Sequence, residues 1–437
     1  MIRSAVVLYQ QTQNCIVVSN LRLIIENWRK YGVLLCLSCH NYRRKDVVYG
    51  TILFFLVPSH LFVSYLIELI AAQEVKAVLG REKKNEAVKK AQPHDHKSTT
   101  LTWYLIAFAH GINATLNLSV ASYIVYYHIY HPGIGTICEL HAVIVWLKVC
   151  SYALTNRDLR HALRNQAPPS TLPDLYKSLP YPQNISLGNL TYFWFAPTLI
   201  YQPLYPRSSH IRWSFVLKRA TEMVTLSIAI WVASAQFAVP LLNNSLPIIS
   251  SLDFISILER VLKLSSISLF CWLAGFFAVF QSGLNLLAEL MTFADREFYK
   301  DFWNSASIAS YWTSWNIPVS SFMKRHIYLP LVARGVPPKA AQVLVFVFSA
   351  VLHEMLVGIP THNIIGVAFM GMMLQIPLIA LTDALQKIKG LDGKVIGNMI
   401  FWASFCLLGQ PLAALLYFFA WQAKYGSVSL RGSKVGG

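Results

Sequence analysis

An all-α polytopic membrane protein is the fold class this chain predicts, and three observations carry that expectation. Over 437 residues, 55% are hydrophobic and only 13% charged, where a soluble domain carries about a quarter charged residues. The mean hydropathy is +0.45. The apolar residues also fall in runs of at least about 18, the length needed to cross a bilayer as a helix.

Eight such runs lie at 48–72, 101–129, 133–154, 215–242, 257–291, 341–360, 363–385 and 396–422. A ninth, around 15–36, is diluted by Arg22, Glu26 and Arg29. About nine transmembrane helices are therefore expected, in one membrane-embedded domain covering 1–437. Between them, 80–100 reads as a solvated helix or linker. Long connections at 155–213 and 292–340 complete the plan. The first is broken by Pro168, Pro169, Pro173, Pro180 and Pro182. The second carries ten aromatic rings, from Phe293 to Tyr328, and such a surface is expected to lie on the membrane or fold back over the helices.

The formal net charge of +17 could suggest a nucleic-acid partner, but its distribution argues for topology instead. Lys and Arg gather at 73–100, 154–214, 292–340 and 386–394, while 130–132, 243–256 and 361–362 carry none. Basic loops stay in the cytosol, so the N-terminus is expected there and the C-terminus in the lumen. Arg43, Arg44 and Lys45 go against that pattern. Seven scattered cysteines imply no disulfide framework, since Cys in apolar runs behaves as a small hydrophobe. No cleavable signal peptide is read, and no internal repeat of the kind that marks inverted-repeat transporters.

Polar groups inside such a chain locate its chemistry, because a titratable side chain in hydrocarbon is costly and normally faces a protein interior or a wet cavity. His353 sits within 343–359, a run otherwise almost wholly apolar. A desolvated imidazole is neutral, and a neutral imidazole can accept a proton. Glu354 follows directly, but neighbouring helix positions face different ways; it is expected to orient a neighbour. Asn304 and Asn316 flank a segment rich in Ser, Trp and Tyr. Pro318 holds Ile317 extended, so a helix boundary is expected there, with Asn316 capping it. Cys36-Leu-Ser-Cys39-His40 and His94-Asp95-His96 have metal- or haem-like spacing, yet each stands alone and reads as coincidence. His110, His128, His131 and His141 read as structural or interfacial. No metal site is expected.

Phe298-Tyr299-Lys-Asp301-Phe302-Trp303-Asn304 resembles the Phe-Tyr-x-Asp-Trp-Trp-Asn motif of the membrane-bound O-acyltransferases, in the branch that includes sterol O-acyltransferases. Tyr192-Phe-Trp-Phe-Ala-Pro-Thr198, Asn285-Leu-Leu-Ala-Glu-Leu-Met291, Trp315-Asn-Ile-Pro-Val319, Gly371-Met-Met-Leu-Gln375-Ile-Pro377 and Gly409-Gln410-Pro411 follow in the same order. Within that branch the likeness is greatest to the diacylglycerol-esterifying group of the endoplasmic reticulum. The resemblance implies nine helices around an intramembrane reaction chamber, a homodimer aided by the N-terminal region, and His353 as catalytic base. It places Asn316 near that histidine and assigns acyl-CoA binding to 298–304. The substrates implied are fatty acyl-CoA and diacylglycerol, giving triacylglycerol and CoA, with membrane lipids as surroundings and no cofactor.

Two positions depart from the pattern: Phe302 replaces Trp, losing an N–H donor, and Ser320 stands where close relatives carry His. Direct attack is expected, since no nucleophile elbow is present. Asn316, Gln375 and Gln410 are candidate donors to the thioester oxygen, with Asn316 preferred; Trp315 and Glu354 complete the expected substrate contacts. A sterol, retinol or fatty-alcohol acceptor is the alternative, and a non-catalytic lipid transporter the remoter one.

Overall fold

A computed structural model describes residues 25–34, 43–87, 96–164, 176, 178–250, 253–388 and 393–432. Eight helical stretches among them are long and apolar enough to span a membrane: Arg44–Val78, Leu101–His128, Pro132–Arg164, Trp213–Ile248, Phe254–Leu290, Pro338–Gly358, Val367–Leu385 and Gly393–Tyr425. Each overlaps one of the eight expected runs, and the all-α polytopic architecture follows. Most of the ninth run lies outside the described residues, as do Cys36, Cys39, His40, His94 and Asp95. Its described end is held through Gln236, whose side chain accepts from Leu34 N at 2.9 Å and donates to Asn27 Oδ1 and Gly32 O.

The helices are numbered in chain order. The first three are α1 (Arg44–Ala87), α2 (His96–His128) and α3 (Pro132–Arg164). They pack on one another, with Leu53, Ala121, Val125, Ala142 and Val149 closing the seam. A short α4 (Leu187–Phe195) follows, then α5 (Trp213–Ala233), α6 (Val239–Asn243), α7 (Leu246–Ser250) and α8 (Phe254–Phe276). A π-turn at Phe277–Gly283 leads into α9 (Leu284–Leu290). Next come α10 (Ile308–Ser314), α11 (Ile317–Met323) and α12 (Leu329–Ala333). Last are α13 (Pro338–Gly358), α14 (Val367–Met373), α15 (Gln375–Leu385), α16 (Gly393–Phe401) and α17 (Gln410–Gly432).

Neither long connection is a solvated linker in its described part. In the first, Phe193 and Tyr201 are fully buried. The carbonyls ending α4 are collected by Lys148 of α3, whose ammonium donates to Phe193 O, Trp194 O and Ala196 O at 2.8–2.9 Å. A helix C-terminus leaves carbonyls without partners, and a buried cation is a strong donor to them. In the second connection Phe302, Ile308 and Tyr311 are buried against Phe276, Phe346 and Phe401. Its aromatic content is therefore a second core, which sits directly beneath the polar site described next.

Candidate active site

A cavity of about 700 Å³ opens between α10, α11 and α13, lined by Trp312, Trp315, Asn316, Ser320, Ser349 and His353 among others. The size suits a small-molecule site. Its lining combines apolar side chains, Val345, Phe346, Met372 and Ile379 among them, with Glu297, Lys300, Lys324 and Tyr328. Lys300 and Glu297 form an exposed ion pair at 3.4 Å. The cavity therefore offers both greasy and charged surface.

His353 is positioned by its own helix. Its Nδ1 lies 2.7 Å from the backbone oxygen of Ser349, one turn earlier. A carbonyl can only accept, so Nδ1 carries the hydrogen and Nε2 is left with the lone pair. The ring is thus set in the tautomer a general base needs. Asn316 is held with equal economy. It caps α11, its Oδ1 accepting from Val319 N at 3.2 Å, as Pro318 in the sequence suggested. With the oxygen committed to the cap, the amide nitrogen is the end free to donate into the cavity. The two side chains line one cavity from different helices.

The 298–304 segment supports this pair from below. Lys300 N donates to Ser314 O at 2.8 Å and Ile317 N donates to Phe298 O at 3.0 Å, so its backbone clamps the turn that bears Asn316. Its rings are not brought to the cavity wall. Phe298 and Phe302 are buried, Phe302 against Trp272, Phe276 and Tyr311. Tyr299 donates to Gln281 Oε1 at 2.7 Å, and the Trp303 carbonyl accepts from Asn398 and Trp402. Asp301 and Asn304 are exposed. Lys300 is the member of the segment that reaches the cavity. Phe302 packs among aromatic rings there, while the hydroxyl of its neighbour Tyr311 is buried without a hydrogen-bond partner. Ser320, the other departure, does line the cavity, where its hydroxyl donates to Ile317 O at 3.2 Å.

Among the remaining candidates, Trp315 lines the cavity. Gln375 is occupied: its oxygen accepts from Trp312 Nε1 and its nitrogen donates to Gly371 O. Gln410 buries an unpartnered Oε1 away from the cavity lining. Glu354 faces away from His353. Its carboxylate accepts from Gly366 N at 2.8 Å, Phe369 N at 3.1 Å and the Tyr417 hydroxyl at 2.8 Å. It caps α14 and ties α13 to α17, with its carboxylate engaged by these three donors and outside the cavity lining.

Among the buried polar groups that escaped the sequence reading are Glu68 and Ser151. Glu68 of α1, fully buried, takes Arg160 of α3 and the Tyr181 hydroxyl. A lone Glu inside an apolar run was the available signal. Ser151 accepts from Tyr201 N at 2.9 Å and sits 2.8 Å from His326 Nε2, joining α3 to the turn beside the cavity. Burial, aided by the charge of Arg325, pushes His326 down to about 4. An unfolded histidine titrates near 6.5. As pH falls from about 6.5 to about 4 the unfolded chain gains a proton that the folded chain refuses, so stability is full above this window and lost through it. Melting temperatures recorded from pH 7 down to 4 are expected to fall for the native chain and to fall less for His326→Gln; parallel curves would remove His326 as the cause.

Among the described residues no group of three His, Cys, Asp or Glu side chains could hold a metal ion. Comparison with known proteins matches residues 160–419 to the membrane-bound O-acyltransferase family. Diacylglycerol O-acyltransferase 1C of Glycine max is 39% identical over 294 residues, covering 67% of this chain and 56% of that protein. Diacylglycerol O-acyltransferase 1 of Arabidopsis thaliana is 41% identical over 68% of this chain and 54% of its own length. Its namesake in Dictyostelium discoideum is 32% identical over 92% and 60%. The chain thus spans somewhat over half the length of these relatives. With His353, Asn316 and the aromatic segment beneath them all inside the matched region, the chain belongs to the membrane-bound O-acyltransferase family.

Proposed function

We propose that this chain transfers a fatty acyl group from acyl-CoA to the hydroxyl of diacylglycerol, giving triacylglycerol and CoA. The observation that carries the proposal is the bond from His353 Nδ1 to Ser349 O, which leaves Nε2 as a proton acceptor in a cavity lined by both apolar and charged side chains. In this reading the acceptor hydroxyl gives its proton to Nε2 as its oxygen attacks the thioester carbon. The Asn316 amide nitrogen donates to the carbonyl oxygen as negative charge builds there. The C–S bond then breaks and the imidazolium returns the proton to the departing sulfur. No acyl-enzyme is needed.

Both substrates fit the cavity's two characters. Diacylglycerol arrives laterally from lipid, and the phosphates of CoA are attracted by Lys300 and Lys324 from water. The basic connections are read as cytosolic, in the endoplasmic reticulum membrane, with the N-terminus cytosolic and the C-terminus lumenal. A homodimer is part of the same reading.

The purified chain in nanodiscs, given labelled oleoyl-CoA with diolein, cholesterol and hexadecanol in competition, is expected to label chiefly triacylglycerol. Label in sterol or alkyl ester instead would replace diacylglycerol as acceptor. A second experiment separates the two jobs of Asn316. Asn316→Asp retains the capping oxygen and removes the N–H donor, so it is expected to keep the melting temperature while turnover falls about 10²–10³-fold. Asn316→Ala is expected to lose turnover similarly and about 1 kcal/mol of stability as well. An aspartate variant of normal activity would show that the amide serves only as a cap.

A further inference from the structure

A second cavity, of about 600 Å³, opens between α1, α2 and α3, and none of its lining residues lines the cavity of His353. On α2 and on α3 ahead of its last turns the wall is apolar, from Ala107, Ala114, Val149, Ala153 and Leu154. At the end where α3 finishes it becomes cationic, with Arg157, Arg160, His161 and Arg164. The described carboxylates facing these groups are two. Glu68 is buried and engaged by Arg160; Asp158 is exposed and pairs with Arg157 at 2.9 Å. Arg160 and Arg164 both stand over the ring of Trp103.

Between the greasy and the basic parts lie two polar groups without hydrogen-bond partners. His110 is only 7% exposed, and neither ring nitrogen is hydrogen-bonded; its Nε2 is 3.4 Å from Glu68 Oε2. The Trp103 indole N–H is likewise buried and unbonded. A buried polar group normally finds a partner, and one left without it beside a cavity points to a ligand that supplies oxygen atoms.

From this arrangement we propose that the cavity is a binding site for one anionic glycerophospholipid, distinct from the substrate cavity. Its phosphate lies among Arg157, His161 and Arg164, its ester oxygens reach His110 and Trp103, and an acyl chain follows Ala107, Ala114 and Val149 along the helices. Basic pockets between membrane helices select such headgroups by charge. The apolar wall adds what a free phosphate cannot use.

The test is native mass spectrometry of the delipidated, full-length chain with dioleoylphosphatidylserine or dioleoylphosphatidylcholine added, and with inorganic phosphate or oleoyl-CoA as competitors. One phosphatidylserine is expected per chain, held in clear preference to phosphatidylcholine. The double variant Arg157→Gln, Arg164→Gln is expected to weaken it about 30-fold, and Ala107→Trp, which fills the apolar part without changing charge, to weaken it comparably. His353→Ala is expected to leave it untouched, so the outcome does not depend on the proposed reaction. Retention of the lipid by both cavity variants would identify it as unspecific boundary lipid and overturn the site. Displacement by millimolar phosphate, or by oleoyl-CoA at equal concentration, would overturn the assignment to a phospholipid.

Discussion

Alanine in place of His353 is expected to lower CoA release from oleoyl-CoA and diolein by about 10²–10⁴-fold, the usual contribution of a positioned general base. The expectation rests on the ring's tautomer: Nδ1 is spent on Ser349 O, so only Nε2 can take the hydroxyl proton. Because that bond stays within one turn of α13, removing it releases no other element. The variant is therefore expected to keep its melting temperature and its affinity for oleoyl-CoA, so the whole loss falls on turnover. Activity within about tenfold of the native chain would reject His353 as the base. Lipid movement across the bilayer without CoA release, unaffected by the substitution, would favour a transporter instead.

Glu354→Ala is expected to cost at least about 3 kcal/mol of stability. Three donors converge on this carboxylate, and each one left buried without an acceptor costs about 1–3 kcal/mol. One of the donors, Gly366, holds a φ of 76°, a conformation in which residues other than glycine are strained. Glu354→Gln retains one acceptor oxygen but turns an NH₂ toward existing donors, and is expected to fall between the native chain and the alanine variant. Tyr417→Phe removes only one of the three bonds and is expected to cost about 1 kcal/mol. Thermal unfolding in one detergent would order the series. An alanine variant as stable as the native chain would show that the clamp contributes nothing. Partial loss of turnover is expected to accompany the loss of stability, because Glu354 holds the end of α13 on which His353 sits.

Much of this architecture was legible before any coordinates. Run length alone placed eight spans, because the bilayer sets a minimum apolar length that is a property of neighbouring residues. His353 was legible for the same reason, as a polar residue at a depth where polarity is costly. The helix start at Asn316 could be read from Pro318. The role of 298–304 could not. Its aromatic side chains look like ligand contacts in sequence, yet Phe302 buries in the core of Phe276, Phe346 and Phe401 with Tyr299 packed on it, Phe298 buries in another cluster, and two backbone bonds join the segment to the turn bearing Asn316. Gln375 matched a donor by residue type, but its amide is taken by Trp312 and Gly371. Glu68 was passed over because its partners, Arg160 and Tyr181, lie 92 and 113 residues away.

Hydropathy and short motifs, which are summed over adjacent residues, determined that this chain is helical, spans a membrane many times and carries His353, among other histidines, inside an apolar run. Only the tertiary structure decided which nitrogen of His353 is free, that Asn316 caps α11 through its oxygen, that the Glu354 carboxylate ties α13 to α14 and α17, and that a second, basic-ended cavity exists. Those properties depend on atoms brought together from distant helices, and packing between helices is set by shapes that no local average along the chain records.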